Sequence, residues 1–209
     1  MSRIYSMAIG PFGEAAQGYL GRLVPTTCVV SPAEFIEHIP KDAGAVVLFS
    51  AIQCHDLCKH LTRIAFECQH PFLPVVIDGR YVVIGPVTAG GGSGCWQCWQ
   101  LRARQHDSFE SHRSYLSQYY FERSLEGPAG YLESIAALTA GIASSILHSA
   151  CRSSSKPEGQ LRHVDMVNLV VRTSTVTAVH GCPYCGLGRD PVERTVVMLM
   201  KDIAHLWGR

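Results

Sequence analysis

Gly91-Gly92-Ser93-Gly94-Cys95-Trp96-Gln97-Cys98 is the stretch on which the fold turns. Its two cysteines have the C-x-x-C spacing, which lets one tight turn present two thiolates to a single ion. A second pair with the same spacing, Cys182-Pro183-Tyr184-Cys185, lies near the other end of the chain. Two such turns complete a tetrahedral four-sulfur site, the closed geometry of structural zinc. Cys95, Cys98, Cys182 and Cys185 are therefore the expected ligands of one zinc ion per chain, an ion that ties the middle of the chain to its end. Gly186 and Gly188 follow the second pair and suit a knuckle in which backbone amides approach the sulfurs.

A redox reading competes with the metal. Cys-Pro-Tyr-Cys is also the dithiol of glutaredoxin-like proteins, where a lowered pKa activates the first thiol. There the dithiol lies near the start of the domain, whereas here only 24 residues follow Cys185. The chain has nine cysteines, and the other five are Cys28, Cys54, Cys58, Cys68 and Cys151. An odd count scattered among apolar residues does not form a disulfide framework, so these five are expected to be buried small hydrophobes in a reducing cytoplasm. Cys54-x3-Cys58 has the spacing of one helical face and is a lesser candidate for a second metal site.

A length of 209 residues suits one domain with a small appended lobe. Hydrophobic residues make up 47% and charged ones 17%, enough for a full core and for a surface covered by partners. The net charge is +1 with no basic stripe, which argues against a nucleic-acid partner. Met1-Ser2-Arg3 leads straight into a strand, so no signal peptide is expected. Ser134 to Cys151 lacks Asp, Glu, Lys and Arg but holds Thr139, Ser144, Ser145, His148 and Ser149. That is too polar for a membrane span, and a small-residue helix buried in a core or subunit interface is expected instead.

In chain order, Tyr5 to Ile9 reads as a buried strand, Gly10-Pro11-Phe12-Gly13 as a turn, and Glu14 to Leu23 as a helix. This is the opening of a nucleotide-binding α/β fold. Phe12 takes the second glycine position of G-x-G-x-x-G, and Ser31-Pro32 stands after the strand Thr27–Val30 where a ribose-binding acid belongs. The expectation is a fold that kept the turn and lost the nucleotide. Pro32 to His38 reads as a short helix, Ala45 to Phe49 as a strand and His55 to Cys68 as a helix; Val75–Ile77 and Tyr81–Ile84 form a hairpin about Asp78-Gly79. The fold class is thus α/β, a Rossmann-like, mainly parallel sheet with an antiparallel extension and a four-cysteine zinc site. The run Ala89 to Gly94 has no Lys-Ser/Thr after it and fails as a phosphate loop. Beyond it, Cys98–Gln105, Ser111–Ser124 and Tyr131–Cys151 read as helices, and Leu161–Thr173 with Thr175–Val179 as a strand pair. Val192 to Trp207 reads as a closing amphipathic helix. Tyr115, Tyr119 and Tyr120 on one helix, and Ala136, Ala140, Gly141 and Ser144 on another, are candidate contacts of a homo- or hetero-oligomer. Residues 1–94 form the expected core and residues 95–209 a zinc-knuckle, helical and β-hairpin lobe closing onto it.

The run from Asp56 through Arg63 and Pro71-Phe72 to Ile84-Gly85-Pro86 and Cys95-x2-Cys98 resembles the adenylating fold of ThiF and MoeB. Within that superfamily, Ile84-Gly85-Pro86-Val87 with Gly-Gly-Ser-Gly-Cys-Trp-Gln-Cys is most similar to the ThiF-like partner proteins of azole peptide biosynthesis, a class of antibiotic-forming RiPP pathways. The resemblance covers roughly residues 4 to 188. It implies a cytoplasmic, non-catalytic subunit that supports a YcaO-family cyclodehydratase as it turns Cys, Ser and Thr of a ribosomal precursor peptide into thiazolines and oxazolines. It also implies a flavin dehydrogenase among the partners. The relatives commonly begin with a winged-helix lobe that grips the leader peptide; this sequence starts at the first strand, so the precursor is expected to be bound by another chain or by a remodelled surface of this one. ATP is not expected in this chain. If it adenylates instead, Gly10, Gly13, Asp56 and Arg63 are the candidate cofactor-binding residues. Fusion of the two parts through the ThiF-like C-terminus in relatives makes Trp207 the candidate anchor on the enzyme. Two other readings stay open, an active enzyme adenylating a peptide or sulfur-carrier C-terminus and a dithiol oxidoreductase using Cys182 and Cys185.

Overall fold

The computed structural model of the protein describes residues 3–38, 40, 43–89, 93–105, 110–122, 128–152 and 157–186. Seven strands form one sheet: β1 (Arg3–Ile9), β2 (Thr27–Val29), β3 (Ala43–Ser50), β4 (Phe72–Asp78), β5 (Tyr81–Ile84), β6 (Gln160–Asp165) and β7 (Val171–Thr175). The spatial order is β2-β1-β3-β4-β5-β6-β7. The first three pairings are parallel and the last three antiparallel. This is the expected parallel sheet with an antiparallel extension.

Helices cover both faces, which explains why β3 reads as a continuous apolar run. On one face Val46 and Leu48 of β3 pack with Phe35 of α2 (Pro32–Glu37), Leu61 and Ile64 of α3 (His55–Cys68), and Trp96 and Trp99 of α4 (Trp96–Gln105). On the other face Ala45, Val47 and Phe49 meet Phe12, Ala16 and Leu20 of α1 (Gly10–Leu23) and Ile135, Ala136 and Ala140 of α6 (Glu133–Arg152). Glu133–Cys151 is long and apolar enough to cross a membrane by length and composition, with mean hydropathy 1.4. Its Ile135, Ala136, Ala140, Ala143, Ile146 and Leu147 are core residues of this chain. Ala136 and Ala140 are therefore spent on the core and are not free for a partner. On α5 (Glu110–Glu122), by contrast, Tyr115 and Tyr119 are exposed and Tyr120 packs against the core.

Three local expectations need correction. The turn at Gly10–Gly13 is not a loop; α1 starts at Gly10, with Pro11 in its first turn, where the fixed φ of proline suits a helix start. Strand β4 begins at Phe72, ahead of the expected Val75, and Pro74 lies inside it, where its carbonyl accepts the Gly85 N–H at 2.7 Å. The strand read over Leu161–Thr173 is cut at Asp165. Asp165 Oδ1 accepts the N–H groups of Val167 and Asn168, and its carbonyl accepts that of Leu169, whose φ is 56°. An aspartate-capped turn thus overrides apolar residues that read as strand. Of the five remaining cysteines only Cys54 and Cys58 are fully buried; Cys28 and Cys68 are half-buried and Cys151 is exposed. The glycines at 90–92 and the expected helix Val192–Trp207, with its anchor Trp207, lie outside the described residues.

Candidate metal centre

Three segments converge here: α3, α4 with the residues that lead into it, and the chain leaving β7. Gly94 leads into α4, and its N–H bonds the Val176 carbonyl at 2.9 Å. That bond holds the first cysteine pair beside the chain leaving β7. Residues 176–186 then fold back over α4. Arg102 Nε donates to the Thr177 carbonyl at 3.2 Å, and the Tyr184 ring stacks on Phe66 of α3 with centroids 6.0 Å apart. Cys182 N–H donates to the Val179 carbonyl at 2.9 Å, which closes the second turn.

These contacts bring Cys95, Cys98, Cys182 and Cys185 together, all buried, with every sulfur within 4.8 Å of the others. The separations are 4.0 Å for Cys95–Cys98, 3.6 Å for Cys95–Cys182, 3.2 Å for Cys98–Cys185 and 3.7 Å for Cys182–Cys185. Sulfurs placed tetrahedrally at ~2.3 Å from an ion lie ~3.8 Å apart, so the cluster has the size of a four-thiolate metal site. None of the four is in a disulfide. The group can hold a metal ion.

The electrostatics agree. Thiols this close share protons unevenly. Its contacts with Cys182, then Cys185 and Cys98, push the Cys95 thiol far above its usual range. Contacts from Cys185, then Cys95 and Cys98, hold Cys182 far below it. Cys182 pulls Cys98 up, but Cys185 and Cys95 together outweigh it, and the Cys98 pKa comes to about 6. A cation at the centre lets all four be thiolates at once. Val179 N–H donates to Cys98 Sγ at 3.2 Å, the kind of backbone contact that orients a ligating sulfur. The sequence gives no signal for that particular amide.

Gly186 is a packing requirement of this knuckle. A Cβ there would lie 2.6 Å from the carbonyl oxygens of Cys182 and Val179, both backbone atoms that cannot step aside. Gly186→Ala is expected to cost about 1–3 kcal/mol, the range for overpacking. Gly181→Ala, with nothing within 4 Å of the new methyl, is the matched control. Thermal melts of the two variants check this: the first should melt several degrees lower and the second unchanged.

The adenylation candidates are not gathered in the same way. Gly10 has φ 70° and opens α1. Gly13 is a close-packing position, since a Cβ would lie 2.6 Å from the Phe49 carbonyl oxygen. Asp56 lines a groove between α3 and α4. Arg63 is not among that groove's walls; it pairs with Glu67 at 3.8 Å and contacts His60 Nδ1. At the end of β2, Ser31 caps α2, and the Glu34 carboxylate accepts the Ser31 N–H at 2.9 Å in a reciprocal capping box.

No protein-family model and no curated protein matches the sequence. Solved structures do match its fold. The heterocyclase TruD superposes with a TM-score of 0.60 at 18% identity, over 88% of this chain and 27% of that one. A chain of the E. coli microcin synthetase McbBCD complex superposes with a TM-score of 0.62 at 15% identity, over 86% and 67%. E. coli MccB, solved with ATP, gives 0.59 at 11% identity, over 88% and 67%. The chain spans about a quarter of the length of the heterocyclase it matches. At these identities the likeness shows a shared fold, and the structures that share it include a heterocyclase and a component of a microcin synthetase complex.

Proposed function

We propose that this chain is a non-catalytic, ThiF-like scaffold subunit of a peptide heterocyclase complex, held together by one structural zinc ion. The observation that carries the reading is a combination: a sheet of the heterocyclase and microcin-synthetase kind bears a buried four-cysteine centre that joins residues 87 apart in sequence. Zinc is the metal of choice because it takes four thiolates in a closed tetrahedron and contributes folding energy there. In this reading a YcaO-family partner consumes the ATP and closes Cys, Ser or Thr of a cytoplasmic precursor peptide into azolines. A separate chain grips the leader, and a flavin dehydrogenase removes two hydrogens from each ring where azoles are made.

A second reading is favoured by the fold shared with MccB, solved with ATP: an adenylating enzyme. Phe12 in the glycine position, Ser31 spent as a cap and Glu34 spent on Ser31 all weigh against it. Calorimetry with ATP and magnesium is expected to show no binding in the micromolar range, and a micromolar constant would favour adenylation over the scaffold. The dithiol reading is weakened by burial, since reactive cysteines need solvent access and Cys182 and Cys185 are buried.

A scaffold must assemble. Tyr115 and Leu116, exposed by 69% and 51% on α5, offer aromatic and apolar area at small entropic cost. Light scattering is expected to show an oligomer alone or a complex with the YcaO partner at tens of micromolar. A monomer under both conditions contradicts the scaffold.

A further inference from the structure

The two ends of the sheet are built differently. At one end β2 has three residues and stands between Pro25 and Pro32, a short edge closed off by proline. At the other end β7 has five residues, all exposed, with no proline, lysine or acid and one charge, Arg172. The turn before it adds Val167, Leu169 and Val170, exposed by 71%, 62% and 48%. An edge strand this long, β-branched and bare is a template for pairing with another chain.

The ladder with β6 fixes which groups that edge offers. Asp165 N–H donates to the Val170 carbonyl at 2.9 Å, and Val176 N–H to the Gly159 carbonyl at 2.8 Å. Bonded positions alternate along an antiparallel pair, so residues 170, 172, 174 and 176 turn their backbone groups toward β6. Val171, Thr173 and Thr175 turn theirs to the open side. Among the described residues, no backbone hydrogen bond from another element reaches them there.

We propose that the protein forms a two-fold dimer in which β7 of one copy pairs antiparallel with β7 of a second, centred on Thr173. Val171 then meets Thr175 of the second copy, Thr173 meets its own equivalent, and Thr175 meets Val171. Each of these is an outward-bonding position on both strands, so each pair exchanges two N–H···O bonds. Identical edges pair only where the sequence tolerates its own reversal, and this one does. Its β-branched residues at 171, 173 and 175 share one face, and Arg172 stands opposite Ser174 of the second copy. A register centred on Arg172 would set two arginines face to face, and one centred on Ser174 would leave Val171 beyond the end of the facing strand. The two-fold also brings the apolar turn Val167–Val170 toward the end of the other copy's β7. Such a dimer forms whether or not the chain joins a heterocyclase.

Sedimentation velocity on the full-length, metal-loaded protein tests this. A dimer with a Kd of roughly 1–50 μM is expected. Thr173→Pro removes the N–H at the two-fold without touching the β6 ladder, at an outward position where an edge strand accepts proline, and should weaken the dimer at least about tenfold. Thr173→Lys sets like charges opposite each other and should do the same. Ser174→Glu places a carboxylate opposite Arg172 twice per dimer and should tighten it about threefold. Tyr115→Ala, on α5, should leave it unchanged. Melting temperature and zinc content establish that each variant is folded; should the proline variant melt low, the lysine variant decides. A monomer at roughly 100 μM overturns the proposal. So does a dimer that folded Thr173 variants leave intact, one that Ser174→Glu weakens, or one that Tyr115→Ala dissociates. A parent monomer that binds a YcaO partner and loses it with Thr173→Pro overturns it in favour of an edge that pairs with a different chain.

Discussion

Cys182→Ser is expected to lose the metal and at least about 3 kcal/mol of stability, because binding energy at a structural site is folding energy. The geometry says why the effect is large. Among the described residues, 176–186 are held by the Gly94–Val176, Val176–Gly159, Arg102–Thr177 and Val179–Cys98 Sγ hydrogen bonds, by Val176 in the core, by the Tyr184–Phe66 stack and by the four sulfurs that the metal would join. Without one ligand, three thiols are left crowded in a buried space with no partner charge. In a chain of this size each kcal/mol is roughly 2–4 °C in Tm, so a fall of about 6–12 °C follows. Cys151→Ser is the control. Its thiol is exposed and makes only a long, weak contact, 3.6 Å to the Gly44 carbonyl, among the described residues, so the change should stay within about 0.5 kcal/mol. Melting curves and zinc content on the same samples decide the matter. A Cys182→Ser protein that melts with the parent shows that the centre does not hold the fold.

The second large effect concerns the proposed complex. A scaffold changes a partner's rate only by binding one of its states more tightly than another. This chain is expected to raise the cyclodehydration rate of its YcaO partner by at least ~10-fold, which needs about 1.4 kcal/mol of differential binding. The reconstitution contains enzyme, precursor peptide and ATP, with or without this chain, and reads the loss of one water per azoline by mass spectrometry. Trp207→Ala should reduce the stimulation if the closing segment is the contact, whereas Tyr115→Ala should reduce it if α5 is. Equal rates with and without this chain, with every other pathway protein present, contradict the scaffold.

Much of this was legible from local chemistry. The four cysteines announce themselves by spacing, and two-fold repetition of C-x-x-C carries the long-range contact that composition cannot. The strand–helix alternation through α3 is visible because buried parallel strands are unbroken apolar runs, as in Ala45–Phe49. The errors arose where a few polar atoms decide the backbone. Asp165 turns the chain by capping three N–H groups in a stretch that is apolar by composition. The helical start at Gly10 follows from Pro11, although glycine and proline together read as a turn. The small-residue stripe of α6 could not be assigned to core or partner from sequence, because Ala136 and Ala140 suit any close helix approach; only the position of α1 decides it.

X-ray absorption at the zinc edge, on the full chain purified without added metal, reads the ligand shell itself. One zinc per chain is expected, with a shell of four sulfurs at ~2.3 Å and no nitrogen or oxygen ligand. Less than half an equivalent of zinc, or a shell in which nitrogen or oxygen replaces any of the sulfurs, would contradict it.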